Sequence, residues 1–448
     1  MVRSIGRLIL LSALGAVMTG ATLGDPSPAS AQTSTAPSRT PLDATDRSRA
    51  LERIKAEIGT TYVFPERRGP AIERLSAAAA AGRYDTTDPV VFAERVTEDL
   101  MAVTRDSHLY LRHDPAWFAS ASLPPVPGED ARQVALEAEI ARYTNHGLTE
   151  MRILPGNIRY LKVEGFSWVE GETGPAYDGA MRFLKGGRAI IIDLRGNGGG
   201  WIQASKYLIS HFLPADTLIA TFLSPNAEPL QYRAADDLPA GRIQGPPVYI
   251  LIDGHSRSAA EMVAYTFQQY GLGELIGART EGAANISDDF AIAPGFRLSV
   301  STGRTVQPVS GTDWEGVGVA PTVEADPAKA LEIARMRAID RLLPDTADGV
   351  PRQQLAWSRP ALEATLNPVV LDDRALRAFA RTYGEVSIRF RDHALWLHRP
   401  DRPPNRLSAM TRDGLFQAVD NETLRVRITP DALEVLRPDP AWSVQYPR

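Results

Sequence analysis

Two short runs constrain this chain more than any other feature: Ala189–Leu194 (AIIIDL) and Val248–Ile252 (VYILI), apolar at nearly every position. A strand with one wet face alternates polar and apolar residues, whereas a continuous apolar run belongs to a strand covered on both faces, as in the middle of an α/β sheet. Each run ends in a turn, and each turn opens a helical pattern. Arg195–Gly200 (RGNGGG) leads into a helix from about Trp201 to Leu213, and a polar turn leads into an amphipathic helix opening at Ser258. Asn157–Val163 and Leu275-Ile276 add strands; Tyr177–Leu184 and Asp326–Leu343 add helices. Leu218–Leu223 and Leu230–Arg233 read as a β pair. Phe290–Ile292 and Arg297–Val300 form a hairpin pattern around Pro294-Gly295. This alternation predicts a layered α/β core from 157 to 343.

The flanks differ from that core. Asp46–Asp106 carries three helical stripes: Leu51, Ile54 and Ile58; Ile72 and Leu75; and Phe92, Val96, Leu100 and Val103, the last introduced by the start signal Asp88-Pro89. A short strand holding His108 and Tyr110 follows, and 114–148 reads as irregular apart from a helix around Val134–Tyr143. Past Pro360 a helix is expected before Tyr383. Val386–Leu397, Leu415–Ala418 and Leu424–Ile428 then alternate as antiparallel strands do. The expected organisation is therefore α/β (α+β) and multidomain: a helical domain over 45–115, an α/β core over 116–345, a linker over 346–359 and a β-rich domain over 360–448.

At the N-terminus Arg3 and Arg7 precede an apolar run from Leu8 to Met18, and Ala29-Ser30-Ala31 supplies a small-x-small site. This predicts a signal peptide over 1–31 cleaved after Ala31, since the run is too short to span a bilayer, then a disordered Ser/Thr/Pro/Ala leader over 32–44. An exported, periplasmic or extracellular protein is the expectation. The sequence holds no cysteine, which excludes thiolate catalysis, thiolate metal sites and disulfides. Net charge is −5 with both signs interspersed, so nothing points to nucleic acid or, once the signal is removed, to a membrane.

Ser258 lies in Ser-Arg-Ser-Ala-Ala-Glu at a strand-to-helix turn. A serine there sits at the positive end of a helix beside unpaired N–H groups, as an acyl-transfer nucleophile requires, and the Ala259 N–H would face a developing oxyanion. Locally the pattern serves equally as a capping box, Ser258 with Glu261. The turn at Arg195–Gly200 offers further N–H groups; it lacks the lysine ending of a P-loop and the spacing of a dinucleotide fingerprint, and close strand–helix packing also accounts for it. Ser107-His108 offers a general base. His255 competes for that role but shares the tight turn with Ser258. Glu315, beside Trp314 in a Gly-rich loop, reads by itself as a solvated glutamate. The histidines have no ligand spacing, so no metal site and no cofactor is expected.

In order and spacing, IIIDLRGNGGG, SRSAAE, GARTEG and WEGVGVAP resemble the catalytic core of the tail-specific or C-terminal-processing serine proteases. The similarity is closer to the branch shared by the tricorn protease core and the interphotoreceptor retinoid-binding protein, and the helical region ending in RDSHLYL fits that branch. The resemblance covers about Asp46–Leu343 and implies a mixed-sheet, crotonase-like core. It implies Ser258 as nucleophile, His108 as base, Ser107 and Glu315 as its orienting relay, and Ala259 with Gly199-Gly200 as oxyanion hole. Ser/Lys members carry a lysine after the nucleophile helix; here Ala283 stands at that place, and no lysine occurs between Lys206 and Lys329. The tetrad is the remaining scheme. It implies a peptide or protein substrate cleaved through an acyl-enzyme, with an apolar-ligand-binding protein of the same fold or a small-molecule esterase or amidase as alternatives.

Overall fold

The computed structural model describes residues 40–123, 129–225, 227–439 and 442–448. The signal peptide expected over 1–31, its cleavage point and the first part of the leader lie outside the described residues. Among those described, no helix is long and apolar enough to cross a membrane.

Three helices come first: α1 (Ala44–Thr61), α2 (Pro65–Ala80) and α3 (Pro89–Thr104). Asp43 accepts the Asp46 N–H at 2.7 Å and Asp88 that of Val90 at 2.8 Å, each satisfying a donor with no partner inside its helix. Ile54, Ile58, Leu75, Phe92, Val96 and Leu100, all from the periodic stripes, are buried in one cluster. Asp99 of α3 clasps the layer, accepting from Arg74 (2.6 Å), Arg83 (2.9 Å) and the Tyr84 hydroxyl (2.8 Å). Then come β1 (Tyr110–His113), α4 (Pro115–Ala121) and α5 (Glu129–Tyr143).

The core holds β2 (Leu148–Leu154), β3 (Ile158–Val163), α6 (Thr173–Lys185), β4 (Ala189–Asp193), α7 (Ile202–Ser210), β5 (Leu218–Ser224), β6 (Ala227–Arg233), β7 (Val248–Ile252), α8 (Ala259–Gln269), β8 (Glu274–Gly277), β9 (Ile286–Ile292), β10 (Phe296–Val306), β11 (Val323–Glu324) and α9 (Ala330–Leu342). Its main sheet has the order β11-β8-β7-β4-β3-β2, parallel except for β2. The two apolar runs are its central strands. Ile190, Ile192, Ile250 and Ile252 enter the cluster shared with α6, α7 and α8, whereas Ile191, Tyr249 and Leu251 enter the cluster on the α9 face. Alternate side chains thus serve opposite layers, which is why the runs are apolar throughout. β2 is an edge strand with Met151 and Ile153 exposed, so it lacks the pattern that marks a strand in sequence.

A second sheet joins the helical layer to the core. β10 pairs antiparallel with β1 through Tyr110↔Ser299, with β9 along most of its length, and with β5 through Arg304–Val306. Phe296, Leu298 and Val300 belong to the same cluster as α1–α3, so the helices share their core with this strand.

The expected linker over 346–359 is largely helical: α10 (Val350–Leu366) buries Leu355 and Leu362 in the α9-face cluster. Beyond α11 (Asp373–Phe379) an eight-stranded antiparallel sheet runs in simple sequence order. It comprises β12 (Arg381–Tyr383), β13 (Val386–Arg391), β14 (Ala394–His398), β15 (Asn405–Ala409), β16 (Leu415–Ala418), β17 (Arg425–Ile428), β18 (Ala432–Leu436) and β19 (Val444–Pro447). The run read as one strand over Val386–Leu397 is a hairpin, turning at Asp392 and His393, both with positive φ (52° and 56°). The sheet docks on α10 through Arg425, whose guanidinium lies 4.0 Å over the Trp357 ring and donates to the Trp357 carbonyl.

Candidate active site

The carboxyl ends of neighbouring parallel strands are the usual place for a site in an α/β sheet. β4 and β7 are such neighbours, and the loops that follow them are stitched together. The Ser256 hydroxyl donates to the Leu194 carbonyl (2.8 Å), the Gly196 N–H to Asp253 (3.0 Å) and the Arg257 N–H to the Asn197 carbonyl (2.9 Å). This brings Ser258 and the Arg195–Gly200 turn, about sixty residues apart in sequence, into direct apposition.

Ser258 precedes the first turn of α8 with φ 52° and ψ −114°, a conformation that costs a non-glycine residue of order 1–3 kcal/mol. Glu261, wholly buried, holds the turn. Its carboxylate accepts the N–H groups of Ser258 (2.9 Å), Gly282 (2.7 Å) and Ala283 (2.8 Å) and the Thr280 hydroxyl (2.6 Å). Burial outweighs these donors and pushes the Glu261 carboxyl above the ordinary glutamate value. The Glu261 half of the expected capping box is therefore in place, and Glu261 is also the anchor that binds the helix start to the Thr280–Ala283 turn. Ala283 itself lines the cleft beside Ser258, where no lysine is present.

The oxyanion assignment needs one correction. The Gly199 N–H donates to Asn197 Oδ1 at 2.8 Å and is not available to a substrate. Gly199 contributes close approach instead: a Cβ there would lie 2.8 Å from the Ser258 Cβ and 3.2 Å from the Ala259 nitrogen, and its φ is +99°. Ala259, the first residue of α8, and Gly200 line the same cleft as Ser258, and among the described residues neither backbone N–H is given an acceptor.

Across the cleft stands His108, at the start of the segment that becomes β1. Its Nδ1 is 3.1 Å from Glu315 Oε1, and the Ser107 hydroxyl donates to the same oxygen at 3.3 Å. Glu315 is not a solvated loop residue. Its side chain is 9% exposed, and Oε2 accepts the N–H groups of Ala284 (2.7 Å) and Asn285 (2.8 Å). Burial alone would raise the Glu315 carboxyl; the hydrogen bond and charge of His108, with the two N–H donors, outweigh it and hold the group below the ordinary glutamate range. The Gly-rich loop is fixed by the Gly316 N–H on the Gly282 carbonyl (2.8 Å) and the Val319 N–H on the Thr280 hydroxyl (2.6 Å).

Ser107, His108, Ser258, Ala259, Gly199 and Gly200 line one cleft of about 1580 Å³. Among the described residues no hydrogen bond joins Ser258 to the imidazole; the histidine is bonded to Glu315 alone of the expected tetrad. His255, the competing base, is exposed and outside the cleft lining. Asp106, His108 and Glu315 bring their oxygens and nitrogen within 4.8 Å of one another, and each already has hydrogen-bond partners in the protein. Sequence reasoning missed Asn197, Asp106 and the anchoring role of Glu261. The only sequence signal for them is their position two or three residues from a chosen one.

Comparison with known proteins bears out the resemblance read from the motifs. Residues 157–325 match the sequence model of Peptidase family S41, a stretch that holds Ser258 and Glu315 but not Ser107 or His108. A carboxy-terminal processing protease of Bacillus subtilis is 22% identical over 177 residues, 39% of this chain and 35% of that protein. A tricorn protease homologue of Streptomyces coelicolor is 30% identical over 138 residues, 31% of this chain and 11% of that protein. The chain spans about a third of the length of the first curated relatives it matches. Among solved structures, the photosystem II D1 C-terminal processing protease aligns over 71% of this chain and 100% of its own, at 16% identity and a TM-score of 0.45.

Proposed function

From the match of residues 157–325 to Peptidase family S41, we propose that this chain is a serine peptidase that cleaves peptide bonds through an acyl-enzyme. The observation that carries the reading is the strained Ser258, held by Glu261 at the start of α8, in one cleft with Gly200 and with a histidine bonded to Glu315. Ser258 Oγ attacks the scissile carbonyl while His108 takes its proton through Nε2. Glu315 accepts the Nδ1–H bond, fixes the tautomer and stabilises the imidazolium, and Ser107 steadies Glu315. The Ala259 and Gly200 N–H groups receive the oxyanion, each such donor contributing about 2.7–4 kcal/mol to the barrier. His108 then protonates the leaving amine, and water releases the acyl group by the same steps in reverse. The substrate is a peptide or protein, and Arg3, Arg7, the apolar run and Ala29-Ser30-Ala31 support an exported enzyme.

A fluorophosphonate probe tests this directly. Wild-type protein should label at one serine and Ser258→Ala should not label; equal labelling of the two proteins removes the assignment.

A further inference from the structure

Asp106 is a buried carboxylate that the mechanism above does not use. It sits between the end of α3 and β1, 1% exposed. Its Oδ1 accepts the backbone N–H of His108 at 2.9 Å and lies 3.9 Å from the imidazole Nδ1, the same nitrogen that Glu315 Oε1 approaches at 3.1 Å. Two carboxylate oxygens thus bracket one ring nitrogen, one from before the histidine and one from the far loop. Asn285 couples the pair: its backbone N–H donates to Glu315 at 2.8 Å and its carboxamide to Asp106 Oδ2 at 3.5 Å.

Every element packed around Asp106 bears on it. The buried Tyr62 hydroxyl at the end of α1 and the buried Ser301 hydroxyl on β10 make no hydrogen bond to it among the described residues. Glu315 adds a like charge, and half-buried Asp313, a further acid, accepts the Glu315 N–H at 2.9 Å. Among the described residues no arginine or lysine forms an ion pair or hydrogen bond with Asp106, and Arg67 is spent on the Thr104 carbonyl at 2.9 Å. The positive charge that forms on His108 is consequently the nearest compensation for Asp106.

We propose that Asp106 is a positioning residue for His108: a second carboxylate that fixes the histidine backbone and, with Glu315, stabilises the imidazolium formed when Ser258 loses its proton. This rests on the peptidase reading for its catalytic consequence but not for its geometry. Burial, which comes first, and the Glu315 charge push the Asp106 carboxyl above the ordinary aspartate value, as expected for an anion waiting on a partner.

The experiment is the titration of His108 by histidine-selective NMR, assigned with His108→Ala, alongside kcat and KM against pH. Asp106→Asn keeps an oxygen for the His108 N–H and removes the charge. Its His108 midpoint and the acid limb of kcat/KM should both move to lower pH by about half to one unit, with kcat reduced and KM nearly unchanged. Asn285→Ala, which leaves its backbone bond to Glu315, keeps the Asp106 charge but removes a donor that shares it, so the midpoint should move by less and to higher pH; it reads the same charge if Asp106→Asn fails to fold. An unmoved midpoint in an active enzyme overturns the inference. A moved midpoint in a protein that neither labels nor turns over peptides upholds the bracketing and removes the peptidase reading.

Discussion

At the scale of single residues, the site is built by groups that hold other groups. Gly199 has no donor to offer, yet its backbone touches Ser258, and a methyl group there would meet the Ser258 Cβ at 2.8 Å with φ at +99°. Gly199→Ala should therefore slow probe labelling of Ser258 about 100-fold, the scale of a misplacement of about 1 Å at a nucleophile, while lowering Tm by only a few degrees. Equal labelling rates in a stopped time course would show that the close approach is unimportant. Ser258, His108 and Glu315 were all legible in the sequence, but only as an ordered set: taken singly they read as a helix cap, a packed histidine and a solvated glutamate. Glu261 and Asn197 were not legible in these roles, because a side chain that accepts backbone N–H groups, whether some twenty residues away or two residues on, leaves no periodic trace in sequence.

At the scale of elements, what could be read was whatever one face or both faces of an element dictate. The central strands declared themselves because both faces are buried, and α3 did so through Asp88-Pro89. β2, an edge strand exposed on both sides, and β12, β15, β18 and β19 of the C-terminal sheet carry too little contrast to be read. α3 matters most for function because His108 follows directly from its end. Burial acts to raise the Asp99 carboxyl, but Tyr84, Arg74 and Arg83 together hold it below its ordinary value of 3.8. A depressed carboxylate gives stability that is present above that ordinary value and lost as pH falls through the lower folded one. The urea midpoint of the wild-type protein should accordingly drop below pH 4 more steeply than that of Asp99→Asn, which should start lower at pH 7. Parallel pH curves for the two proteins would contradict this.

At the scale of the whole molecule, the site and the C-terminal sheet are separate affairs. Among the described residues none beyond Trp314 lines the cleft, and contacts of the sheet with the rest include Arg425 on Trp357, the Trp357 indole on the Glu422 carbonyl and the Arg335–Glu422 ion pair. Burial pushes the Arg425 guanidinium down to about 10, so this contact carries a desolvation cost that stacking and two acceptors offset. A chain ending after Asn367 keeps α10 on its core face and should label with fluorophosphonate at the wild-type rate; loss of labelling in a folded truncated protein would tie the sheet to catalysis. The pairing of β1 with β10 has a different consequence. Tyr110 meets Ser299 only after the nucleophile, the turn that anchors it and the far strand have all been made, so the base is synthesised early and seated late. Partly made or half-folded chains carry one half of the machinery without the other. On the peptidase reading, chain order alone leaves Ser258 without its base until β1 has paired with β10.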